Sequence, residues 1–173
     1  PNTTAGHMMN AFEEGEKVHL DLCLYHGNCF PFFPTPGGQV TQPVPPMLDR
    51  MTFDLESNSR EFALRNLATP CEMPRTDDRV QGQPYRYGFA VMGRQPDGSS
   101  SVGRVDVTTG QWDVWSPGPA SSVQEPQFVP RHPGAAEGDG WLLVLVSRLA
   151  ENRSDLVVLD AQKLAAGPVA VVK

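Results

Sequence analysis

The sequence predicts an all-β protein built from propeller blades, and two observations lead to that fold class. Short runs of β-branched, aromatic and alternating residues recur between Gly/Pro-rich turns, whereas helical periodicity is hard to find. One unit also occurs three times: an apolar strand that ends in Asp, then a turn, then a second apolar strand. The aspartates of the three units, Asp54, Asp106 and Asp160, are 52 and 54 residues apart. A period near 50 is typical of propeller blades, the alternative being a β-sandwich with coincidental spacing. Because three units do not close a propeller of 4 to 8 blades, we expect this chain to be part of a larger one.

The individual strands follow from alternation and turn residues. The segment KVHLDLCLY places Val18 and Leu20 on one face and His19 and Asp21 on the other. The TTG of GRVDVTTGQWDVW predicts a hairpin turn in which Gly110 takes a positive φ. The proline-rich segment 30–46 is predicted to be a loop, because proline cannot donate to a β-ladder. Further strands are expected at RMTFDLE, EFALRNL, YRYGFAVMGR, WLLVLVSRL, SDLVVLDAQKL and PVAVVK. Because WLLVLVSRL is apolar without alternation, we expect this strand to be covered on both faces.

Composition excludes several classes of partner. The 14 Lys and Arg against 20 Asp and Glu give a net charge of −6, which does not favour binding to nucleic acid or to anionic lipid. The sequence has no apolar run of about 18 residues, so we expect no membrane span. The three cysteines, Cys23, Cys29 and Cys71, form no C-x-x-C pair. They are therefore predicted to be small packing residues in a cytoplasmic protein, without a disulfide framework or zinc knuckle.

Three residues are candidates for a metal site, each with an ordinary alternative. His7 in AGHMMNAFEEG is either a metal ligand or a partly buried structural histidine, and no second ligand lies at a local metal-binding spacing. Glu72 in PCEMPR and Glu125 in VQEPQFVP are flanked by apolar residues and prolines, so each carboxylate needs a donor. A metal-bound imidazole is such a donor. Backbone N–H groups, Arg75 or Arg131 are the alternatives.

The aromatic residues Phe30, Phe32 and Phe33 of NCFPFFP are candidates for the wall of a pocket for a flat apolar or aromatic substrate. Packing in the core is the alternative.

Other catalytic chemistry has little support: DGSSSVG lacks the strand–turn–helix setting of a nucleophile elbow. The Gly-rich runs TPGG and GAAEGDG lack the spacing of a phosphate-binding loop.

Taken together, these motifs resemble a known family. GHMMNAFEEGEKVHLDL, CEMPRTD, YRYGFAV, GRVDVTTGQWDVW and QEPQFVPRHPGAAEGDGWLLVLV followed by SDLVVLDAQKL occur in the order of the C-terminal half of the carotenoid cleavage oxygenases. The HMMNAFEEG segment is most similar to the bacterial lignostilbene (stilbene-cleaving) dioxygenases. The resemblance implies a seven-bladed β-propeller with Fe(2+) on its axis, held by four histidines, three of which are oriented by glutamates. Residues 1–173 would then be the C-terminal portion of a single propeller oxygenase domain, incomplete at both ends.

The resemblance also implies residue roles. His7 corresponds to the third iron ligand, Glu72 to the glutamate that orients it, and Glu125 to the glutamate that orients the fourth ligand. That fourth ligand is expected shortly after PVAVVK, and the first two ligands before Pro1, so the remaining propeller segments would be needed to complete the iron site. His19, His26 and His132 match no ligand position in the family.

The implied function is cleavage of a carbon–carbon double bond by O2 to give two aldehydes. The expected substrate is a stilbene carrying phenolic rings, with Phe30, Phe32 and Phe33 as candidate walls of its pocket. A carotenoid or apocarotenoid, which needs a longer tunnel, is the second candidate, and a propeller that acts as a metal-free binding module is a third. A 173-residue chain with one ligand is expected to be inactive on its own.

Overall fold

The computed structural model describes residues 3–27, 29, 37–38, 44–93 and 96–173. In these residues the chain forms thirteen β-strands and three one-turn 3-10 helices at 78–80, 149–151 and 164–166. The predicted loop is described only in part, and its residues 44–46 form no strand. The strands are β1 (Thr4–Glu14), β2 (Lys17–Tyr25), β3 (Met47–Asp54), β4 (Ala63–Ala68), β5 (Cys71–Thr76), β6 (Tyr87–Met92), β7 (Ser101–Asp106), β8 (Gln111–Trp115), β9 (Ser121–Val123), β10 (Gln127–Pro130), β11 (Gly140–Arg148), β12 (Arg153–Asp160) and β13 (Pro168–Val172).

The strands form three antiparallel sheets that follow one another along the chain. The first sheet has the order β1-β2-β3-β4 and the second β5-β6-β7-β8. In the third sheet, β9 and β10 pair with opposite ends of β11, which is followed by β12 and β13. The leading strands of successive sheets are in contact, β1 with β5 and β5 with β10. Four-stranded meanders packed in sequence are propeller blades, so the predicted blade architecture is confirmed.

The repeated aspartates occupy equivalent positions in the three sheets. Asp54, Asp106 and Asp160 are each the last residue of the third strand from the leading edge. In each case an Oδ1 atom accepts a hydrogen bond from the backbone N–H two residues further on, at 3.1 Å, 2.9 Å and 2.9 Å respectively. An Asp side chain that bonds the backbone in this way starts a turn. The turn after Asp106 also contains Gly110, whose φ of 74° confirms the predicted positive value.

Two apolar clusters join the sheets. One lies between the first and second sheets, and the other between the second and third, where the rings of Phe89 and Phe128 stack with centroids 5.2 Å apart. Cys23 and Cys71 are buried in the first cluster, as predicted for packing residues, and Cys29 is half-buried. The first cluster also contains Met9, Phe12, Leu48, Leu67, Ala68, Tyr85, Ala90, Val105 and Val107.

The exposure of strand β11 differs from the sequence prediction. Strand β11 was predicted to be covered on both faces, but only the face carrying Leu142, Val144 and Val146 is buried, while Leu145 is 51% exposed. The exposed face belongs to the third sheet, on the side away from the second. Among the described residues no sheet packs against that side, so the prediction is wrong for that face within this part of the chain.

The polar face of β2 is the more deeply buried of its two faces. Asp21 is completely buried and accepts two hydrogen bonds from Arg50, at 2.6 Å and 2.7 Å, and a third from the Tyr85 hydroxyl at 2.6 Å. Burial and the Asp21 carboxylate raise the pKa of Tyr85 above its ordinary value, so the phenol remains a donor. Because Tyr85 precedes the second sheet's β6, this network ties the first two sheets together.

We expect Asp21→Ala to lower the free energy of unfolding by about 3–5 kcal/mol, because it leaves the largely buried Arg50 guanidinium without its counter-ion. The shift of a urea unfolding curve measures this loss. Glu151→Ala is the control: it removes one of the two carboxylate partners of Arg153, in a largely exposed ion pair that is worth at most about 1 kcal/mol. Equal shifts for the two variants would contradict a structural role for the buried network.

Candidate metal-binding site

His7 lies where strand β1 departs from regular pairing. Ala5 pairs with Leu24 and Met8 with Leu22, so β1 carries one more residue than β2 between these two pairs. Such a bulge turns a side chain away from the alternation of the strand. The bulge therefore affects where the His7 side chain leaves the strand, and a second irregularity follows between Met8 and Asn10.

The imidazole of His7 contacts a carboxylate from the neighbouring sheet. Its Nδ1 atom lies 2.7 Å from Oε2 of Glu72, the second residue of β5. The His7 side chain is 65% exposed, whereas that of Glu72 is 23% exposed. When Nδ1–H donates to the carboxylate, Nε2 keeps its lone pair in the neutral ring, and this is the state of histidine that binds metals.

Glu72 has two further donors. Its Oε1 atom accepts from the Tyr25 hydroxyl at 2.9 Å, and its Oε2 atom accepts from the backbone N–H of Met73 at 2.7 Å. Burial, followed by the hydrogen bond to Glu72, raises the pKa of Tyr25 above its ordinary value, which keeps the phenol protonated. Met73 has a φ of 50°, unusual for a residue with a side chain, in a register shift between Glu72 and Arg75. The backbone of β5 is thus bent around this carboxylate.

Gly6 provides the space that the carboxylate occupies. A Cβ atom at this position would collide with Oε1 of Glu72 and would lie 2.9 Å from both the backbone oxygen of Cys23 and the ring of Tyr25. Any side chain at position 6 would therefore displace Glu72 or Tyr25. This explains why glycine precedes His7 although its φ is not positive.

The residues that follow His7 fix strand β1 against the second sheet. Met9 is buried in the first apolar cluster, and its sulfur lies so close to Gly88 that a Cβ there would displace it. The Asn10 amide donates to the backbone oxygen of Gln83 at 3.0 Å and accepts from the N–H of Gly82 at 3.0 Å. The Met9-Asn10 pair is thus explained by anchoring, since one apolar and one polar contact hold β1 in place next to its bulges, whereas Met8 is 51% exposed.

Glu125 lies at the corresponding place in the third sheet, in the three-residue interruption between β9 and β10. Its side chain is 52% exposed, and Oε1 lies 3.4 Å from Nη1 of Arg75, one of the two arginine partners considered as alternatives. The leading strand of every sheet therefore departs from regular pairing at a candidate residue. No histidine contacts Glu125 among the described residues, and its role stays a prediction.

Two of the three other histidines have side-chain partners that suit a structural role. Nδ1 of His19 lies 2.9 Å from the hydroxyl of Thr52, and Nε2 of His26 lies 2.8 Å from the buried carboxylate of Asp49. His132 is exposed in a turn. Among the described residues no group of three or more His, Cys, Asp or Glu side chains is placed to hold a metal ion.

A cleft of about 660 Å³ opens beside the pair, lined in part by Tyr25, Cys71, Glu72, Met73 and Val123. It lies between the end of β2, the start of β5 and strand β9. Phe30, Phe32 and Phe33, which are expected to line a substrate pocket, lie outside the described residues. In the part of the chain that the structure covers, no helix is long and apolar enough to cross a membrane.

The fold and this site together define a class: a β-propeller in which the leading strand of one blade presents an exposed imidazole held by a carboxylate of the next. The chain belongs to the carotenoid oxygenase family, since the family described as retinal pigment epithelial membrane protein matches residues 1–173. Its members fold as seven-bladed propellers, so the predicted family and fold class are confirmed.

Several relatives are similar along nearly the whole chain. Lignostilbene-α,β-dioxygenase isozyme III of Sphingomonas paucimobilis is 46% identical over 98% of this chain and 38% of its own length. Isoeugenol monooxygenase of Pseudomonas nitroreducens is 43% identical over 96% of this chain and 38% of its own. The crystal structure of Pseudomonas brassicacearum lignostilbene dioxygenase matches with a TM-score of 0.92 and 37% identity, over 99% of this chain and 39% of that one. The chain thus spans about two fifths of the length of these relatives.

Sequence reasoning identified His7 and Glu72 but missed Tyr25 and the function of Gly6. Tyr25 ends the strand KVHLDLCLY and contacts Glu72 across 47 residues of sequence, so no local pattern marks it. A signal for Gly6 was present, because a glycine inside a strand often marks a bulge or a close approach of another group.

We expect Gly6→Ala to break the His7–Glu72 hydrogen bond, because the new Cβ would occupy the position of Oε1. A crystal structure of the variant would then show the 2.7 Å contact lengthened beyond hydrogen-bond distance. Gly134→Ala is the control, since a Cβ there would meet only a ring nitrogen of His132, at an ordinary 3.8 Å. An unchanged His7–Glu72 distance in Gly6→Ala would refute the need for glycine.

Proposed function

We propose that the protein to which this chain belongs is an Fe(II)-dependent dioxygenase that cleaves the carbon–carbon double bond of a stilbene-type phenolic substrate. The coarser conclusion, an oxygenase of the carotenoid oxygenase family, follows from family membership. The observation that carries the finer proposal is the 2.7 Å contact between His7 and Glu72, because it leaves an exposed imidazole nitrogen oriented for a metal.

The residues present fit a ferrous ion. A neutral imidazole whose second nitrogen donates to a carboxylate is a common ligand arrangement for transition metals, and imidazole suits iron. In this proposal His7 is a ligand, Glu72 fixes the tautomer and orientation of the His7 ring, and Glu125 does the same for a histidine outside this chain. When bound, Fe(II) would supply the activation of O2. In the overall reaction the alkene bond breaks and each of its carbons receives one oxygen atom of O2, giving two aldehydes.

The remaining ligands would come from further segments of the same propeller. The outer sheets support this, because each has exposed apolar side chains on a face that further blades could cover. These side chains are Leu64 on the first sheet and Leu145 and Val172 on the third. Residues 1–173 would then be the C-terminal portion of one propeller domain, and the chain alone would be inactive for want of ligands.

The names of the relatives support a phenolic alkene as substrate. Two of them are a lignostilbene dioxygenase and an isoeugenol monooxygenase, whereas an apocarotenoid-15,15'-oxygenase of Synechocystis is 35% identical. We therefore place a stilbene first and an apocarotenoid second. In this proposal Phe30, Phe32 and Phe33 form part of an apolar wall. The two substrates are distinguished by incubating the intact enzyme with a hydroxylated stilbene and an apocarotenoid together. Faster cleavage of the apocarotenoid than of the stilbene would contradict the ranking of the stilbene as the first candidate.

A cytoplasmic location is part of the proposal. Cys23 and Cys71 are free and lie together in the first apolar cluster, where the hydrogen bond to Cys71, followed by burial, raises the pKa of the Cys23 thiol. Adjacent free thiols are typical of a reducing compartment. Fractionation of the cells that express the protein tests this assignment.

A metal-free binding module is the alternative from a different class, because propellers also serve as scaffolds. Iron analysis separates the two. After anaerobic loading with Fe(II), we expect close to one iron per chain of the intact protein. A stoichiometry far below one would favour the scaffold.

We expect His7→Ala in the intact protein to abolish iron retention and alkene cleavage while the β-rich fold persists, because the side chain is exposed and its loss leaves no cavity. Iron content, aldehyde formation and far-ultraviolet circular dichroism measure the three properties. His132→Ala, which removes an exposed histidine in a turn, should match the unmodified protein in all three. Full activity in His7→Ala would contradict its assignment as a ligand.

We expect Glu72→Gln to weaken both iron retention and cleavage by roughly 10- to 100-fold, the usual range for residues that orient a metal ligand. The amide has nearly the shape of the carboxylate, but it carries no charge to attract the imidazole N–H. Iron affinity and kcat/KM are the measurements. A variant that equals the unmodified protein in both would show that Glu72 does not act on His7.

A further inference from the structure

Glu72 is held at both of its carboxylate oxygens, and the two oxygens have different partners. Oε2 faces His7 and the N–H of Met73, whereas Oε1 faces only the Tyr25 hydroxyl among the described residues. The terminal torsion of a glutamate is broad, since rotation about an sp³–sp² bond has no sharp minima. A carboxylate held at one oxygen can therefore rotate, while one held at both cannot.

Tyr25 and His7 approach Glu72 from the same sheet. Tyr25 is the last residue of β2 and the cross-strand neighbour of Thr4 on β1, while Glu72 belongs to β5 of the next sheet. The two side chains thus grip one carboxylate from adjacent strands, in the space left by Gly6. Met73 cannot take over the role of Tyr25, because its N–H is on the same oxygen as His7.

We infer that Tyr25 is a positioning residue for the metal site: its hydroxyl holds Glu72 Oε1 so that Oε2 remains directed at Nδ1 of His7. This inference rests on the proposed function, in which His7 is a metal ligand. It adds a phenol to the residues that determine ring orientation, and this phenol acts on the metal only through Glu72.

The first test needs no metal. In a crystal structure of the intact, metal-free Tyr25→Phe protein, we expect the Glu72 carboxylate to rotate and its 2.7 Å contact with His7 to be lost or shared between two orientations. A carboxylate that keeps this contact without the hydroxyl would overturn the inference, and it would do so without touching the proposed iron site. This separates failure of the inference from failure of the proposed function.

The second test measures metal affinity with Co(II), the metal present in a cobalt-substituted relative of known structure. Titration of the metal-free intact protein should show about 10-fold weaker binding for Tyr25→Phe, the lower end of the range for residues that orient a ligand. The visible absorption bands of bound Co(II) should shift as well, since they report the geometry at the metal. Unchanged affinity and unchanged bands would overturn the inference.

Tyr87→Phe is the matched control. The Tyr87 ring packs against the guanidinium groups of Arg86 and Arg104, and its hydroxyl makes no hydrogen bond with the described residues. Loss of that hydroxyl should leave Co(II) affinity unchanged. An equal weakening in both variants would mean that the effect of Tyr25→Phe is not specific to Glu72, which would also overturn the inference.

A double variant tests whether Tyr25 acts through Glu72. If it does, Tyr25→Phe combined with Glu72→Gln should bind Co(II) no more weakly than Glu72→Gln alone, because residues that share one contact are not additive. If the two losses multiply, Tyr25 affects the metal by another route and the inference fails. A purely structural role for Tyr25 would give multiplied losses, so this measurement distinguishes positioning from stability.

Discussion

The site depends on one hydrogen bond that joins two sheets, between the imidazole of His7 and the carboxylate of Glu72. It is charge-assisted and 2.7 Å long, in the range of strong protein hydrogen bonds. An exposed histidine has several rotamers, and nothing in its own strand selects one of them. Because the selecting group lies on another sheet, the orientation of the ring is only as well defined as the packing between the sheets.

That packing is supplied by apolar clusters and made specific by polar contacts. Apolar burial is the dominant favourable term but has no direction, so it alone leaves sheets free to slide by small amounts. The buried Asp21–Arg50–Tyr85 network and the Asn10 amide each accept or donate only in one arrangement of the first two sheets. Directional bonds of this kind, placed close to β1 and β5, fix the relative position on which the contact between His7 and Glu72 depends.

The fold could be predicted from the sequence because its signals are local. Strand alternation and the glycine of the turn after Asp106 are each read within a few residues, and the aspartate repeat needs only the comparison of three short stretches; the structure has all three. The burial of the polar face of β2 was not predictable in this way, since Asp21 meets partners 29 and 64 residues away. The outward face of β11 is not covered by the described residues, which was not predictable for a related reason: an apolar run shows that a face is suited to burial, not which part of the chain buries it.

The site was only partly predictable, and the reason is its geometry. His7 and Glu72 could be chosen as candidates by residue type and surroundings, yet their contact spans 65 residues and ordinary alternatives for both stayed open until motifs were compared with a family. The bulges in β1 and β5 and the positive φ of Met73 leave no clear mark in the sequence. Such irregularities cost stability and persist only where surrounding structure supports them. Register shifts also occur between β3 and β4 and between β12 and β13, so an irregular backbone alone does not mark the site. The irregularities of β1 and β5 differ from these because they lie beside two side chains, His7 and Glu72, that contact each other across the sheets.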